Sequence, residues 1–165
     1  MSDAFDDVLS ANAEYARNFS LRGLAPKADK GLAVVTCMDS RIEPLAMMGL
    51  QPGDAKILRN AGARVSEDVL RTLVLAVHLL GVNRVLVVPH TGCRMAQSSD
   101  DDIHQLIATS TGIDTRSLEF RTTPDQLASL AEDLTRIKAH PMLPPGLSVA
   151  GAMYDVETGV LTRVA

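Results

Sequence analysis

Short, continuously apolar runs recur along the chain and alternate with longer segments whose apolar residues have helical spacing. Two such runs lie in LAVVT at 32–36 and in RVLVVPH at 84–90, and AKILRNAGA between them holds a further short strand that ends at Asn60-Ala61-Gly62. Runs this short and rich in β-branched residues are typical of parallel strands that are buried on both faces. The last segment, LSVAGAMYDVETGVLTRVA, predicts two further strands joined by a turn at Glu157-Thr158-Gly159.

The segments between these runs predict helices. Residues 4–22 are amphipathic, with acidic residues early and arginines late, the charge order that suits a helix dipole. Ser66 is the predicted N-cap of a second helix, which is closed by Gly81. Because this helix is apolar on nearly every side, we expect nearly every side to be covered. A short helical segment is predicted in EPLAMMGL, and longer helices in DDDIHQLIATSTG and in TPDQLASLAEDLTRIKAH, the last with Thr123 as its N-cap.

Strand and helix alternate through residue 140, which indicates the α/β class. The predicted architecture is a mainly parallel central sheet flanked by helices, with a C-terminal β-hairpin. The sequence has no internal repeat and no linker-like tract, so we expect a single domain over residues 1–165. Residues 1–22 are expected to form an N-terminal helical arm.

The composition narrows the range of functions. The chain has 165 residues, of which 46% are hydrophobic and 22% charged, and its formal net charge is -4. Lysine and arginine are scattered rather than clustered, so no nucleic-acid partner is expected. No apolar run approaches the roughly 18 residues of a membrane span. The acidic N-terminus does not have the pattern of a secretory signal, and a cytoplasmic location is therefore expected.

Reactive side chains follow each of the first three predicted strands. Because the carboxyl ends of parallel strands meet at one edge of a sheet, where ligands bind in open α/β folds, we expect these side chains to lie together. They are Cys37, Asp39 and Arg41 after the first strand, Asn60, Ala61 and Gly62 after the second, and His90 and Cys93 after the third.

Cys37, His90 and Cys93 have the number and softness of ligands in a catalytic zinc site, where three protein ligands leave one position open. The alternative is that the two cysteines and the histidine serve unrelated roles, as buried or surface residues. The position of each just past a strand end favours the metal site.

Asp39 and Arg41 are two residues apart, so an extended backbone points both side chains to the same side. One interpretation is an ordinary surface ion pair, contributing about 0 to 1 kcal/mol. The other is a carboxylate kept ionised and oriented beside a metal by a fixed guanidinium.

The motifs CMDSR, RNAG and HTGC together resemble those of the β-class carbonic anhydrases, whose pattern is Cys-x-Asp-x-Arg followed later by His-x-x-Cys. The resemblance runs from about residue 31 to the C-terminus. SEDVLRTLVLAVHLLGV and the terminal hairpin are similar to those of the short bacterial members.

This resemblance implies one Zn2+ per chain held by Cys37, His90 and Cys93, and reversible hydration of CO2 to bicarbonate and a proton by zinc-bound hydroxide. It implies that Asp39 either accepts a hydrogen bond from the zinc-bound water or, in a closed form, becomes the fourth ligand. Arg41 is expected to hold Asp39 away from the metal. The substrate-binding site is expected to be lined by Asn60, Ala61 and Gly62. The apolar helix after Ser66 needs another surface to cover it, and members of the family form dimers. We therefore also expect a homodimer or a higher homo-oligomer.

The chain departs from the family pattern at Arg94, where a glycine is usual. If that position needs a left-handed backbone, a non-glycine residue costs roughly 1 to 2 kcal/mol. A non-catalytic zinc protein, with Asp39 as a permanent fourth ligand, is therefore one alternative. A hydrolase of CS2 or COS on the same fold is another.

A third alternative is a phosphatase-like or sulfurtransferase-like enzyme with Cys37 as nucleophile and Arg41 as anion binder. Only three residues separate that cysteine and that arginine, too few to wrap an oxyanion. This alternative also leaves His90 and Cys93 without a role.

Overall fold

The computed structural model describes residues 3–165, so Met1 and Ser2 of the predicted arm lie outside it. Five strands form one sheet in the order β2-β1-β3-β4-β5, and every neighbouring pair is parallel except the last. The predicted fold class is therefore confirmed. The strands are β1 (Leu32–Cys37), β2 (Ala55–Asn60), β3 (Arg84–Val88), β4 (Ser148–Tyr154) and β5 (Leu161–Arg163).

Four α-helices accompany the sheet, and two of them differ in detail from the sequence prediction. The helices are α1 (Asp6–Arg17), α2 (Glu67–Leu79), α3 (Asp100–Thr111) and α4 (Gln126–Lys138). The first is shorter than the predicted 4–22, because the chain leaves helical geometry at Asn18, a residue of low helix propensity. The predicted segment EPLAMMGL contains a 3-10 helix, Ala46–Met48.

The predicted N-cap of α4 was wrong. Asp125 caps this helix, its side chain accepting a hydrogen bond from the N–H of Ala128 at 3.0 Å. Thr123 instead donates its backbone N–H to the carbonyl of Met95 at 2.7 Å, a contact between distant segments that the local pattern could not reveal. The predicted N-cap of α2 is confirmed, since the Ser66 hydroxyl accepts from Val69 at 3.4 Å.

The core lies on both faces of the sheet. Every residue of β1 is buried, which explains its unbroken apolar sequence. Leucines, isoleucine and valines of α2 and α4 pack on one face, against Ala33, Val35 and their neighbours in β3. The 3-10 helix at 46–48 and residues of the C-terminal hairpin cover Val34 and Val88 on the other.

Part of the apolar surface stays open within one chain. No residue of α1 is buried, although Val8, Leu9 and Tyr15 all lie on it. In α2, Leu75 and Leu79 are 44% and 65% exposed. The expectation that α2 is covered on nearly every side is therefore not met by the chain's own residues. Within residues 3–165, no helix has the length and apolar character needed to cross a bilayer.

Candidate metal centre

Cys37, His90 and Cys93 converge at the carboxyl edge of the sheet. Cys37 is the last residue of β1, and the other two lie in the turn after β3, the parallel neighbour of β1. One ligand atom from each residue lies within 4.8 Å of the others, and the two sulfur atoms are 3.9 Å apart. All three residues are buried. The predicted convergence of these side chains is therefore observed.

The imidazole of His90 has one nitrogen satisfied and one without a partner. Its Nδ1 donates to the carbonyl oxygen of Thr91 at 2.9 Å, which leaves Nε2 as the nitrogen with a free lone pair. The residue is 0% exposed, and Nε2 has no hydrogen-bond partner. Leaving a buried polar atom unpaired costs about 1 to 3 kcal/mol. A metal ion bound by this nitrogen and the two sulfurs would remove that cost.

Backbone N–H groups lie beside both sulfur atoms. Those of Gly62 and Asp39 lower the pKa of Cys37, and those of Met95 and Ala96 oppose the rise in the pKa of Cys93. Such donors stabilise negative charge on sulfur. The set of two sulfurs and one imidazole, with its surrounding donors, fits a Zn2+ ion that keeps one position open.

The two thiols also influence each other's ionisation. The hydrogen bond from Cys93 is the largest cause that lowers the pKa of Cys37, to about 3, and it outweighs burial. In return, that bond and burial raise the pKa of Cys93 above its usual range. Negative charge is therefore favoured on the Cys37 sulfur, where a cation would stabilise it.

Asp39 and Arg41 form a tight pair beside these ligands. Both carboxylate oxygens of Asp39 accept from the guanidinium, Oδ1 from Nε at 2.9 Å and Oδ2 from Nη2 at 2.8 Å. The backbone N–H of Arg41 adds a third hydrogen bond, to Oδ1 at 2.9 Å. Oδ2 lies 3.8 Å from Nε2 of His90. The carboxylate thus stands at the edge of the ligand cluster and is turned toward the arginine.

The guanidinium of Arg41 holds the pKa of Asp39 well below its usual range, chiefly through its side-chain hydrogen bonds. Asp39 therefore stays a carboxylate throughout the neutral range. Nη2 of Arg41 also donates to the carbonyl of Gly92 at 3.1 Å, which ties the CMDSR loop to the HTGC turn.

The same local pairing occurs a second time, away from this cluster. Asp114 and Arg116 are also two residues apart, and they form the same three hydrogen bonds at 3.0, 3.0 and 2.7 Å. Their side chains are 61% and 78% exposed, whereas that of Asp39 is 19% exposed. An Asp-x-Arg sequence therefore produces this pair by itself, and only its position beside the sulfurs distinguishes the first copy.

The residues after β2 form a turn that brings the backbone N–H of Gly62 close to Cys37. The Asn60 side chain bonds both the carbonyl and the N–H of Arg64, at 2.7 and 2.9 Å. Gly62 and Ala63 have left-handed backbones, with φ of 79° and 58°. Their arrangement points the Gly62 N–H at the Cys37 sulfur. The expectation that Asn60, Ala61 and Gly62 line the substrate stays a prediction.

The strain considered for Arg94 is absent. Its backbone begins a 3-10 helix, Arg94–Ala96, and the described residues with positive φ other than glycine are Ala63 and Arg121. The arginine side chain is exposed, with Nη1 3.4 Å from Oε1 of Gln97. A glycine is therefore not required at this position for backbone reasons.

Two supporting side chains were missed by sequence reasoning. Gln126, in the first turn of α4, donates its Nε2 to the carbonyl of His90 at 2.9 Å. Arg59, in β2, donates to the carbonyl oxygens of Cys37 and Asp39. Arg59 stands directly before the RNAG asparagine, which is a faint signal, whereas nothing in the sequence around Gln126 indicates its contact.

We expect Gly62→Ala to weaken metal binding. A Cβ at this position meets the Cβ of Met95 at 3.3 Å on a left-handed backbone, so the N–H aimed at Cys37 must shift. Disturbing a contact behind a metal ligand typically lowers metal affinity about 10- to 100-fold. The measurement is zinc affinity by competition with a chelator, alongside urea unfolding.

Gly112→Ala is the matched control for Gly62→Ala. Gly112 also has a left-handed backbone, with φ of 74°, but nothing lies within 4 Å of the added Cβ. Both variants should lose roughly 1 to 2 kcal/mol of stability from the left-handed backbone, and only Gly62→Ala should lose zinc affinity. Equal zinc affinity in the two variants would contradict the contact.

Comparison with known proteins agrees with this geometry. The carbonic anhydrase family profile matches residues 32–161. Beta-carbonic anhydrase 1 of Mycobacterium tuberculosis is 37% identical over 161 residues, which cover 96% of each chain. A carbon disulfide hydrolase of Saccharolobus solfataricus is 26% identical, over 99% of this chain and 90% of that one.

A solved structure is also very similar. The carbonic anhydrase of Streptococcus mutans superimposes with a TM-score of 0.93 at 34% identity, over 100% of this chain and 99% of that one. The family profile spans β1 to β4 and includes Cys37, His90 and Cys93, and the relatives are matched over almost their whole length. The chain therefore belongs to the β-class carbonic anhydrase family of enzymes.

Proposed function

We propose that this enzyme catalyses the reversible hydration of CO2 to bicarbonate and a proton, using one Zn2+ held by Cys37, His90 and Cys93. The observation that carries the proposal is the buried cluster of these three residues, whose ligand atoms lie within 4.8 Å of one another, together with the unpartnered Nε2 of His90. Beside it stands a carboxylate, that of Asp39, already held by an arginine.

Zinc bound at such a site acts as a Lewis acid and lowers the pKa of water, so that hydroxide is available near neutral pH. The chain's own residues supply orientation. The ionised carboxylate of Asp39 accepts a hydrogen bond from the attacking oxygen, which directs a lone pair of that oxygen toward the carbon of CO2. One water and one CO2 then give one bicarbonate and one proton.

Arg41 maintains this arrangement. A free carboxylate beside a divalent cation becomes a ligand and takes the position that the substrate water needs. Arg41 opposes this with three hydrogen bonds to Asp39 and one to Gly92. Both oxygens of Asp39 are turned to the arginine, which favours an active enzyme over a zinc protein with a permanent fourth ligand.

The remaining alternatives are supported less well. The guanidinium of Arg41 is engaged by Asp39 and by the carbonyl of Gly92, so it is not free to bind a transferred oxyanion. Hydrolysis of CS2 or COS uses a linear substrate like CO2, but the carbon disulfide hydrolase is the more distant relative, at 26% against 37% identity. Stopped-flow assays with CO2 and with CS2 separate these two substrates. The expected cytoplasmic location stays a prediction, and two thiol ligands suit a reducing compartment.

Cys37→Ser should lose most of its zinc, because the hydroxyl is a poor substitute for a thiolate ligand. We expect about one zinc per chain in the parent and less than about 0.2 in the variant, with a lower unfolding temperature because bound metal stabilises the folded state. Elemental analysis and thermal unfolding check this. The control is His104→Gln, which changes a histidine outside the cluster and should keep its zinc. Full zinc occupancy in Cys37→Ser would rule out the assigned ligand set.

Arg41→Ala should keep its zinc and lose CO2 hydration, because Asp39 is then free to bind the metal. We expect kcat/KM to fall by at least about 100-fold, the scale of losing one positioned hydrogen-bond partner in an active site. The loss should be greater near pH 7 than near pH 8.5. At the lower pH more of the metal would carry neutral water, which a carboxylate displaces more easily than hydroxide.

Arg116→Ala is the matched control for this variant. It breaks the same local pair in a copy that is exposed and outside the ligand cluster. Stopped-flow hydration should give parent rates for Arg116→Ala at both pH values. If Arg41→Ala also hydrates CO2 at the parent rate, the Asp39–Arg41 pair is only a surface ion pair.

We also propose that the enzyme is at least a homodimer. The apolar residues of α1 are exposed within one chain, as are Leu75 and Leu79 of α2. Exposed apolar surface of this extent indicates an interface. A second copy of the chain presents the same two faces, so each copy can cover what the other leaves open.

Sedimentation of the parent at micromolar concentration should therefore give at least twice the mass of one chain. Leu9→Lys, on α1, should shift the protein toward the monomer by placing a charge in the interface. Leu106→Lys is the control, because Leu106 is similarly exposed, 55% against 64%, but lies on α3. A parent that sediments as a stable monomer would be incompatible with this proposal.

A further inference from the structure

We infer that Arg59 is a positioning residue that fixes the backbone from Cys37 to Asp39, and that it thereby keeps the Asp39 carboxylate beside the metal centre and off the metal. This inference deepens the function proposed above and rests on it. Arg59 does not touch the carboxylate, so it is distinct from the Asp39–Arg41 pair.

Arg59 reaches the end of β1 from the neighbouring strand. It lies opposite Thr36 in the register of β1 and β2. Its Nε donates to the carbonyl oxygen of Cys37 at 2.9 Å, and its Nη2 donates to that of Asp39 at 2.6 Å. A guanidinium is planar and rigid, so two such bonds fix the distance between the two carbonyls.

These bonds begin where the strand ladder ends. The last register pair of the two strands is Cys37 with Asn60, and the N–H of Met38 still donates to the Asn60 carbonyl. The carbonyl of Asp39 lies beyond this ladder. It accepts the N–H of Ile42 at 3.1 Å within its own turn, and Arg59 adds a contact from the neighbouring strand. The backbone that carries the carboxylate is therefore held from the side of β2.

The Asp39 carboxylate can approach the metal by side-chain rotation or by movement of its backbone. Arg41 opposes the first, because it holds both carboxylate oxygens. Arg59 opposes the second, because it holds the carbonyl of the same residue. The nearest carboxylate oxygen is only 3.8 Å from Nε2 of His90, so a small backbone shift is enough to change its role.

The charge of Arg59 is not used in a carboxylate pair. Among residues 3–165, no acidic side chain lies within ion-pair distance of it. Its two hydrogen bonds to neutral carbonyls are therefore its polar contacts to the protein, and both go to the loop that carries the candidate site.

Arg84 provides a matched control. It is also a strand arginine, at the start of β3, and its Nε donates to the carbonyl of Lys30 at 3.2 Å. That contact lies at the opposite, amino-terminal edge of β1. Replacing Arg84 removes the same kind of hydrogen bond without touching the candidate site.

The experiment uses protein loaded with Co2+, whose visible absorption changes when thiocyanate binds at an open metal position. Arg59→Gln should keep one metal per chain and bind thiocyanate at least tenfold more weakly than the parent, because the carboxylate competes for that position. Arg59→Lys keeps the charge but cannot donate to both carbonyls at once. Its thiocyanate affinity should lie between those of Arg59→Gln and the parent, about threefold weaker than that of the parent. Arg84→Gln should match the parent within twofold.

A second variant separates closure by the carboxylate from general loosening of the loop. An amide is a poor ligand for the metal, so Arg59→Gln combined with Asp39→Asn should bind thiocyanate within threefold of Asp39→Asn alone. If the double variant stays as weak as Arg59→Gln, the loop is only loosened and the inference is wrong. Parent-like thiocyanate binding by both Arg59→Gln and Arg59→Lys, or loss of metal from them, would also overturn it.

The thiocyanate titration does not require turnover of CO2. A parent that binds Co2+ but does not hydrate CO2 overturns the proposed function and leaves the Arg59 result standing. A parent that takes up no metal overturns both.

Discussion

Two sulfur atoms 3.9 Å apart and an imidazole nitrogen without a partner are buried at the edge of this sheet. Electron-rich atoms in such a place need a proton or a cation between them. The hydrogen bond between the thiols of Cys37 and Cys93 meets part of this need, because it lowers the pKa of Cys37 and raises that of Cys93. Backbone N–H groups from three separate turns add their dipoles. The surroundings thus stabilise negative charge on sulfur, which suits a bound cation such as the proposed Zn2+.

The sheet explains how so few residues achieve this. β1 and β3 are neighbouring parallel strands, so residues that follow their carboxyl ends lie close together as a direct result of strand pairing. The ligand cluster could be predicted from sequence for this reason, since the unbroken apolar runs locate the strand ends. The mainly parallel sheet was predictable for the same reason, whereas the C-terminal hairpin was predictable from the turn at Glu157-Thr158-Gly159. Burial on both faces imposes a pattern that does not depend on distant residues.

What could not be predicted depends on contacts between distant segments. The N-cap of α4 is Asp125 and not the predicted Thr123, whose backbone N–H donates to the carbonyl of Met95. The support from Gln126 joins residues 36 positions apart, and no local rule indicates it. The Asp-x-Arg sequence shows most clearly what a local pattern cannot predict, since it forms the same ion pair at 39–41 and at 114–116. Only the cysteine two residues before the first copy indicated which one has a role.

The separation of the ligands along the chain has a consequence for folding. Cys37 and Cys93 are 56 residues apart, and the segment between them contains β2, α2 and β3. A metal that holds both sulfurs closes this whole loop, as a disulfide would. On a chain-entropy estimate, a permanent cross-link over a loop of this length restricts the unfolded chain by about 4 kcal/mol. A bound metal would thus act as a cross-link of the fold, in addition to completing the proposed site.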